Sequence, residues 1–208
     1  MTTLLVIAKE PRPGRVKTRL TPPFSPEQAA ALAEASLADT LDAVAAAPAT
    51  RRVLVLDGDP GPWVPAGFDV LPQCAGGLDA RLADAFGHCS GPALLIGMDT
   101  PQVTPALLTV DLANLDACFG PAEDGGFWAL GLADPDPALL RGVPMSTPET
   151  GAIQRRRLVA AGLRVGDLPR LRDVDTAEDA AAVAALVPHG RFAALLARCT
   201  ADSKTGRP

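Results

Sequence analysis

The chain has 208 residues, 48% hydrophobic and 21% charged, a composition that builds a sizeable globular core and excludes disorder and collagen-like order. Nineteen Lys plus Arg against 24 Asp plus Glu give a formal net charge of −5, so no general affinity for nucleic acid or anionic membrane is expected and any polyanion site must be local. The opening apolar run, Leu4 to Ala8, is far short of the ~20 residues of a membrane span and lacks the basic flank of a secretory signal, which leads us to expect a cytoplasmic protein.

That run is also the first predicted strand, an unbroken aliphatic stretch of the kind a parallel sheet buries on both faces. A helix follows, with Ser25 as N-cap, Pro26 at the first position, Gln28 completing a capping box, Leu37, Leu41 and Val44 as its apolar stripe, and Pro48 beyond its end. Further strands are predicted at Arg52 to Leu56 and Pro92 to Ile96. Helical patterns recur at Leu78 to Phe86, Thr104 to Leu115, Ser146 to Ala161 and Thr176 to Leu186. The stretch Cys118 to Leu132 breaks the alternation: two short strands flank a Gly- and acid-rich connection too short for a crossover helix, which fits an antiparallel insertion. The expected fold is therefore α/β, a three-layer α/β/α sandwich with a mostly parallel mixed sheet. Residues 1–199 read as a single domain and 200–208 as a loose tail.

Sheets of this kind bind ligands outside the carboxyl ends of their strands. After the first strand, the segment Lys9 to Leu20 gathers five cations, Lys9, Arg12, Arg15, Lys17 and Arg19, against the single anion Glu10. A cationic loop shaped by Pro and Gly at a strand end suits a phosphate chain, with Gly14 letting the backbone turn; a merely solvated basic loop is the alternative. It is neither a Walker loop nor a dinucleotide fingerprint. Asp99, closing the third predicted strand, is placed to hold the Mg²⁺ or Mn²⁺ that bridges phosphate oxygens, unless it only caps a turn before Pro101. In Glu123-Asp124-Gly125-Gly126, one acid can enter a site as general base or hydroxyl-binding group while the glycines allow close approach, though a plain hairpin turn uses the same residues. Asp173 and Asp175 lie on one side of an extended chain and can add a metal or substrate contact; Thr176 with Asp179 is a capping box. Cys74, Cys89, Cys118 and Cys199 show no metal-ligand spacing, so reduced thiols are expected.

The order of these blocks, Lys9 with Pro13 to Leu20, then Gly97 to Pro101, Gly120 to Phe127 and Asp173 to Thr176, resembles the bacterial glycosyltransferase family of the arsenosugar-biosynthesis type. That family is similar in turn to the GT-A nucleotide-diphospho-sugar transferases, and its first loop to that of 2-phospholactate guanylyltransferases, whose Lys-x-Arg-Leu ending matches Lys17 to Leu20. The resemblance implies a nucleotide over the first and third strands, a divalent ion on Asp99 and a catalytic or acceptor-binding carboxylate at Asp124. Relatives favour Asp-Leu-Gly-Glu-Arg where this chain has Gly77 to Arg81, with Arg81 retained either to face the phosphates or as an exposed helix cation, and Trp where it has Met145.

Three readings follow. In the first, a glycosyl group passes from a nucleotide-diphospho-sugar to a small hydroxylated acceptor. Asp99 and Asp175 hold Mg²⁺ or Mn²⁺; Lys9, Gly14, Arg15, Lys17, Arg19 and Arg81 hold phosphate; Asp124, Lys17 and Arg15 act in catalysis; Glu123, Gly125, Gly126 and Asp173 contact substrate. In the second, the same cations hold a nucleoside triphosphate while an acceptor phosphate displaces pyrophosphate. In the third, the chain is a nucleotide-binding regulator without turnover. The partners expected are a nucleotide and a small acceptor, with no nucleic acid or membrane and a homodimer allowed.

Overall fold

The computed structural model describes residues 2–205. Its centre is a seven-stranded sheet in the order β3-β2-β1-β4-β6-β5-β7. The strands are β1 (Thr3–Lys9), β2 (Arg51–Asp57), β3 (Asp69–Pro72), β4 (Ala93–Ile96), β5 (Ala117–Pro121), β6 (Phe127–Leu132) and β7 (Val165–Asp167). Only β6 runs against the others, pairing antiparallel with β4 and β5, while β5 and β7 pair in parallel. The antiparallel insertion thus sits beside the central strand that ends near Asp99.

Alternation along β1 sends Leu4, Val6 and Ala8 to one face and Leu5 and Ile7 to the other. The first face is covered by α1 (Pro26–Ala46) through Leu37, Leu41 and Val44, and both capping-box hydrogen bonds of Ser25 and Gln28 form at its start. The second is covered by α2 (Leu78–Gly87) and α3 (Thr150–Ala160), through Leu82, Phe86 and Leu158. A third cluster joins α1 to α4 (Ala177–Leu186) and α5 (Arg191–Thr205), with Phe192 at its centre. The result is the expected three-layer sandwich with a mostly parallel mixed sheet. Among the described residues no helix is long and apolar enough to cross a membrane.

Four expectations change. The predicted helix over 104–115 is a chain of turns: Thr104 Oγ1 accepts from Leu107 N, and Asp111 Oδ1 from Ala113 and Asn114 N. Buried Leu108 and Leu112, four apart, mimic a helical stripe there. α3 begins at Thr150, four residues later than predicted, because Ser146 takes a left-handed φ of 59° and Pro148 follows. The short edge strands β3 and β7 escaped notice, being largely unburied and so lacking a hydrophobic signature. Finally, residues 200–205 of the supposed tail continue α5, while 206–208 lie outside the described residues. The N-terminus of α5 is capped from a distance: Asp39 on α1 accepts from both Arg191 N and Phe192 N, so no local capping signal exists.

Candidate active site

A cavity of about 660 Å³ opens at the carboxyl ends of β1 and β4 and extends past β6 to the segment before α3. Lys9, Arg15, Lys17, Arg19, Arg81, Asp99, Asp124, Gly126, Asp173 and Asp175 all line it. Strand order explains the convergence. β1 and β4 are hydrogen-bonded neighbours, so the basic loop leaving β1 and the acid following β4 must share one end of the sheet.

Three predicted residues do not line the cavity. Gly14 is exposed on the loop with a φ of 74°. Glu123 turns outward to Arg172, Nε to Oε2 2.7 Å, so its carboxylate is held on the surface. Gly125 is structural: with a φ of 90°, its carbonyl accepts from Gly151 N, and a side chain on it would collide with the Pro148 carbonyl. Arg12 likewise turns away, to Glu10 and Asp59.

Lys17 is the centre of the charge arrangement. Its backbone is left-handed, φ 49°, at the entrance to a short 3-10 turn over Thr18–Leu20, which directs the side chain inward. Its ammonium lies 2.6 Å from Asp99 Oδ1 and 3.2 Å from Asp175 Oδ1, and Arg19 Nη1 adds a contact of 3.3 Å to Asp175 Oδ2. Burial depresses the Lys17 ammonium, but the two carboxylates outweigh it and hold its pKa above the ordinary lysine value. The 2.6 Å contact lies off the line of a hydrogen bond, so Asp99 Oδ1 is buried beside a counter-charge yet has no hydrogen-bond partner. Asp173 Oδ1 is buried and unpartnered too. Burial, reinforced by the carboxylates of Asp99 and Asp124, pushes Asp173 up to about 7. These hard oxygen donors facing a phosphate-binding loop suit a divalent cation. Among the described residues no three of them are already drawn into a ligand set, Lys17 Nζ standing between Asp99 and Asp175.

The other end of the cavity holds a network that the sequence did not announce. Arg81 on α2 donates from Nη1 to Asp57 Oδ2 at 2.8 Å and to Gln73 Oε1 at 3.0 Å, and from Nε to Gly76 O. Gln73 Nε2 donates to Ala8 O and Val55 O, tying the ends of β1, β2 and β3 together. Neither Gln73 nor Asp57 belongs to a recognisable motif, so only coordinates could have found them.

Asp124 is fixed by a turn: its Oδ1 accepts from Gly126 N at 2.8 Å. The turn is pressed against the start of α3, where Gly151 N donates to Gly125 O at 2.8 Å and a Cβ on Gly151 would strike the Gly126 carbonyl. Gly151→Ala is therefore expected to cost about 1–3 kcal/mol of stability and to displace Asp124, read as a lowered melting temperature together with lost turnover; a variant that melts and turns over like the parent contradicts this packing.

Known proteins resemble this chain over most of its length. The chain is 36% identical over 219 aligned positions to a phosphoenolpyruvate guanylyltransferase of Thermomonospora curvata, covering 98% of this chain and 92% of that one. A second such enzyme, from Salinispora arenicola, is 33% identical with 87% of each chain covered. The crystal structure of a proposed nucleotide-diphospho-sugar transferase from Desulfovibrio desulfuricans G20 superposes with a TM-score of 0.87 at 25% identity, covering 99% of this chain and 98% of that one. A family model described as an uncharacterized protein conserved in bacteria (DUF2064) matches residues 32–147, so the chain belongs to that family; it is a transferase homologous to the phosphoenolpyruvate guanylyltransferases.

Proposed function

We propose that the chain is a nucleotidyltransferase, which places a phosphate-bearing acceptor against the α-phosphorus of a nucleoside triphosphate and releases pyrophosphate. The observation that carries this reading is the juxtaposition in one cavity of five cations, Lys9, Arg15, Lys17, Arg19 and Arg81, with the carboxylates Asp99, Asp173 and Asp175: with a divalent cation on the carboxylates, the cations are left to meet the four negative charges of a triphosphate. The curated relatives, named for guanylyl transfer to a phosphoester, support the same chemistry and make guanosine triphosphate the first donor to try. This reverses the order of the two transfer readings of the sequence.

Asp99 and Asp175, with Asp173 facing them, would hold a divalent cation, which would supply Lewis-acid stabilisation of the charge developing on the leaving pyrophosphate. Lys17 and Arg19 bind the phosphate chain beside it, while Arg15 and Lys9 flank its entry. Arg81, held rigid by Asp57, Gln73 and Gly76, presents a fixed guanidinium edge at the β3 side of the cavity. An acceptor phosphate is already ionised at neutral pH, so no base is needed and Asp124 becomes a group that receives an acceptor hydroxyl.

Glycosyl transfer from a nucleotide-diphospho-sugar is the second reading, favoured by the superposition on the Desulfovibrio protein. Product identification separates the two: purified protein with Mg²⁺ or Mn²⁺ is given triphosphates with phosphomonoesters, and nucleotide sugars with alcohols. Pyrophosphate released only in the first mixture supports nucleotidyl transfer. Nucleoside diphosphate released only in the second sinks it.

A further inference from the structure

Three of the five cations that line the cavity are paired with carboxylates: Arg81 with Asp57, Arg19 with Asp175, and Lys17 with Asp99 and Asp175 together. Lys17 differs from the other two in what it covers. Its one ammonium bridges Oδ1 of Asp99 and Oδ1 of Asp175, the two groups proposed to hold a divalent cation. The Lys17 side chain is 8% exposed, whereas that of Arg19 is 76% exposed, so the ammonium is the inner partner and the guanidinium the outer one. A divalent ion takes its oxygen ligands at about 2.0–2.6 Å, so one bound to either Oδ1 would lie within about 6 Å of that ammonium, where like charges of this size repel strongly. Ammonium and metal are therefore alternatives at these oxygens.

The exchange needs no movement of the backbone. Val16 and Leu20, on either side of Lys17, are buried in two different core clusters, and Leu20 N donates to Lys17 O at 2.9 Å. The ammonium, by contrast, ends a flexible four-carbon stem and can swing away from the carboxylates by side-chain rotation alone. Departure leaves Asp99 Oδ1, Asp175 Oδ1 and the buried, unpartnered Asp173 Oδ1 as hard oxygen donors. A metal arriving alone would strand the Lys17 ammonium in a cavity that Lys9, Arg15 and Arg19 already make positive. A triphosphate arriving alone would accept the ammonium but strand the carboxylates. Arriving together, each supplies the partner that the other displaces, which is positive coupling between two ligands.

We infer that Lys17 gates the metal site: its ammonium occupies Asp99 and Asp175 until the phosphates of the donor accept it, so the chain excludes the free divalent cation and takes it together with the triphosphate. This inference rests on the nucleotidyl reading above. It gives Lys17 a second duty besides phosphate binding, one exercised before any substrate is bound.

The test uses Mn²⁺ as the probe, its protein-bound fraction followed by water-proton relaxation on the full chain without turnover. With no nucleotide, the parent is expected to bind Mn²⁺ with a Kd of about 1 mM or weaker and Lys17→Met to bind it at least about 10-fold more tightly. Adding Asp99→Asn to Lys17→Met should abolish that gain; a gain that persists lies elsewhere on the surface and overturns the gate. With the α,β-methylene analogue of guanosine triphosphate, which cannot be cleaved at that link, the parent should hold Mn²⁺ at least about 10-fold more tightly than alone. A parent that binds Mn²⁺ alone with a Kd below about 0.1 mM overturns the gate, a result that needs no variant to fold. A folded Lys17→Met chain that binds Mn²⁺ no more tightly than the parent overturns it as well. Either result leaves nucleotidyl transfer, read separately as pyrophosphate release, standing. Mn²⁺ held by neither chain, with or without the analogue, overturns the gate and the metal role in the proposed function together.

Discussion

Asp99→Asn is expected to slow pyrophosphate release about 10³-fold while lowering the melting temperature of the ligand-free protein only modestly, because the Lys17 ammonium loses its 2.6 Å counter-charge but keeps Asp175. The side chain is replaced by one of equal shape, and the structural bond at this position, from Val174 N to the Asp99 carbonyl at 2.9 Å, belongs to the backbone and survives. What is lost is a hard, negatively charged donor at the end of β4, and with it metal-assisted charge stabilisation of several kcal/mol, each ~1.4 kcal/mol being worth a factor of ten. Thermal shift by Mg²⁺ with triphosphate should vanish in parallel. A variant with parental rate and parental Mg²⁺ response removes Asp99 from the chemistry and leaves the cationic loop as a surface feature.

The second large effect comes from Lys17→Met, which takes the ammonium out from between Asp99 and Asp175. Those carboxylates, with Asp173 beside them, then repel one another with the exposed Arg19 guanidinium on Asp175 as the remaining counter-charge. Breaking a fully buried pair costs about 3–5 kcal/mol, but the Asp99 and Asp175 side chains are 38% and 35% exposed, so water screens part of the loss and about 1–3 kcal/mol is expected. For a chain of this size that is a fall of roughly 3–10 °C in melting temperature. Millimolar Mg²⁺ should restore part of it, since the ion takes up the charge balance that Lys17 supplies, and transfer should still be about 10²-fold slower because phosphate has lost a donor. Calorimetry with and without Mg²⁺ checks both statements. An unchanged melting temperature indifferent to Mg²⁺ would mean that the three carboxylates do not share one electrostatic site.

The division between what could be read from the residues and what could not has a physical pattern. Continuous aliphatic strands and a locally capped helix announce themselves, so β1, β2, β4 and α1 were legible, and with them the end of the sheet where Lys17 meets Asp99. Interactions supplied from elsewhere in the chain were not. α5 is capped by Asp39, more than 150 residues earlier, and Arg81 is held by Asp57 and Gln73 on two other strand ends. The failed helix over 104–115 is the converse case: Leu108 and Leu112 are buried with helical spacing, but side-chain caps at Thr104 and Asp111 offer the backbone better local bonds than a helix does. Glu123 and Asp124 are adjacent in sequence and opposite in fate, one paired to Arg172 on the surface and the other turned into the cavity, a choice made by the tight packing of Gly125 on Pro148.

The most direct measurement follows the phosphorus. Guanosine triphosphate labelled at the α-phosphate in one tube and at the γ-phosphate in another is incubated with the protein, Mg²⁺ and a phosphorylated acceptor. The account predicts that α-label moves onto the acceptor in a new diphosphate (phosphoanhydride) linkage while γ-label appears as pyrophosphate. Transfer of the γ-label to the acceptor, or an acceptor labelled by neither while a nucleotide sugar is consumed, contradicts it.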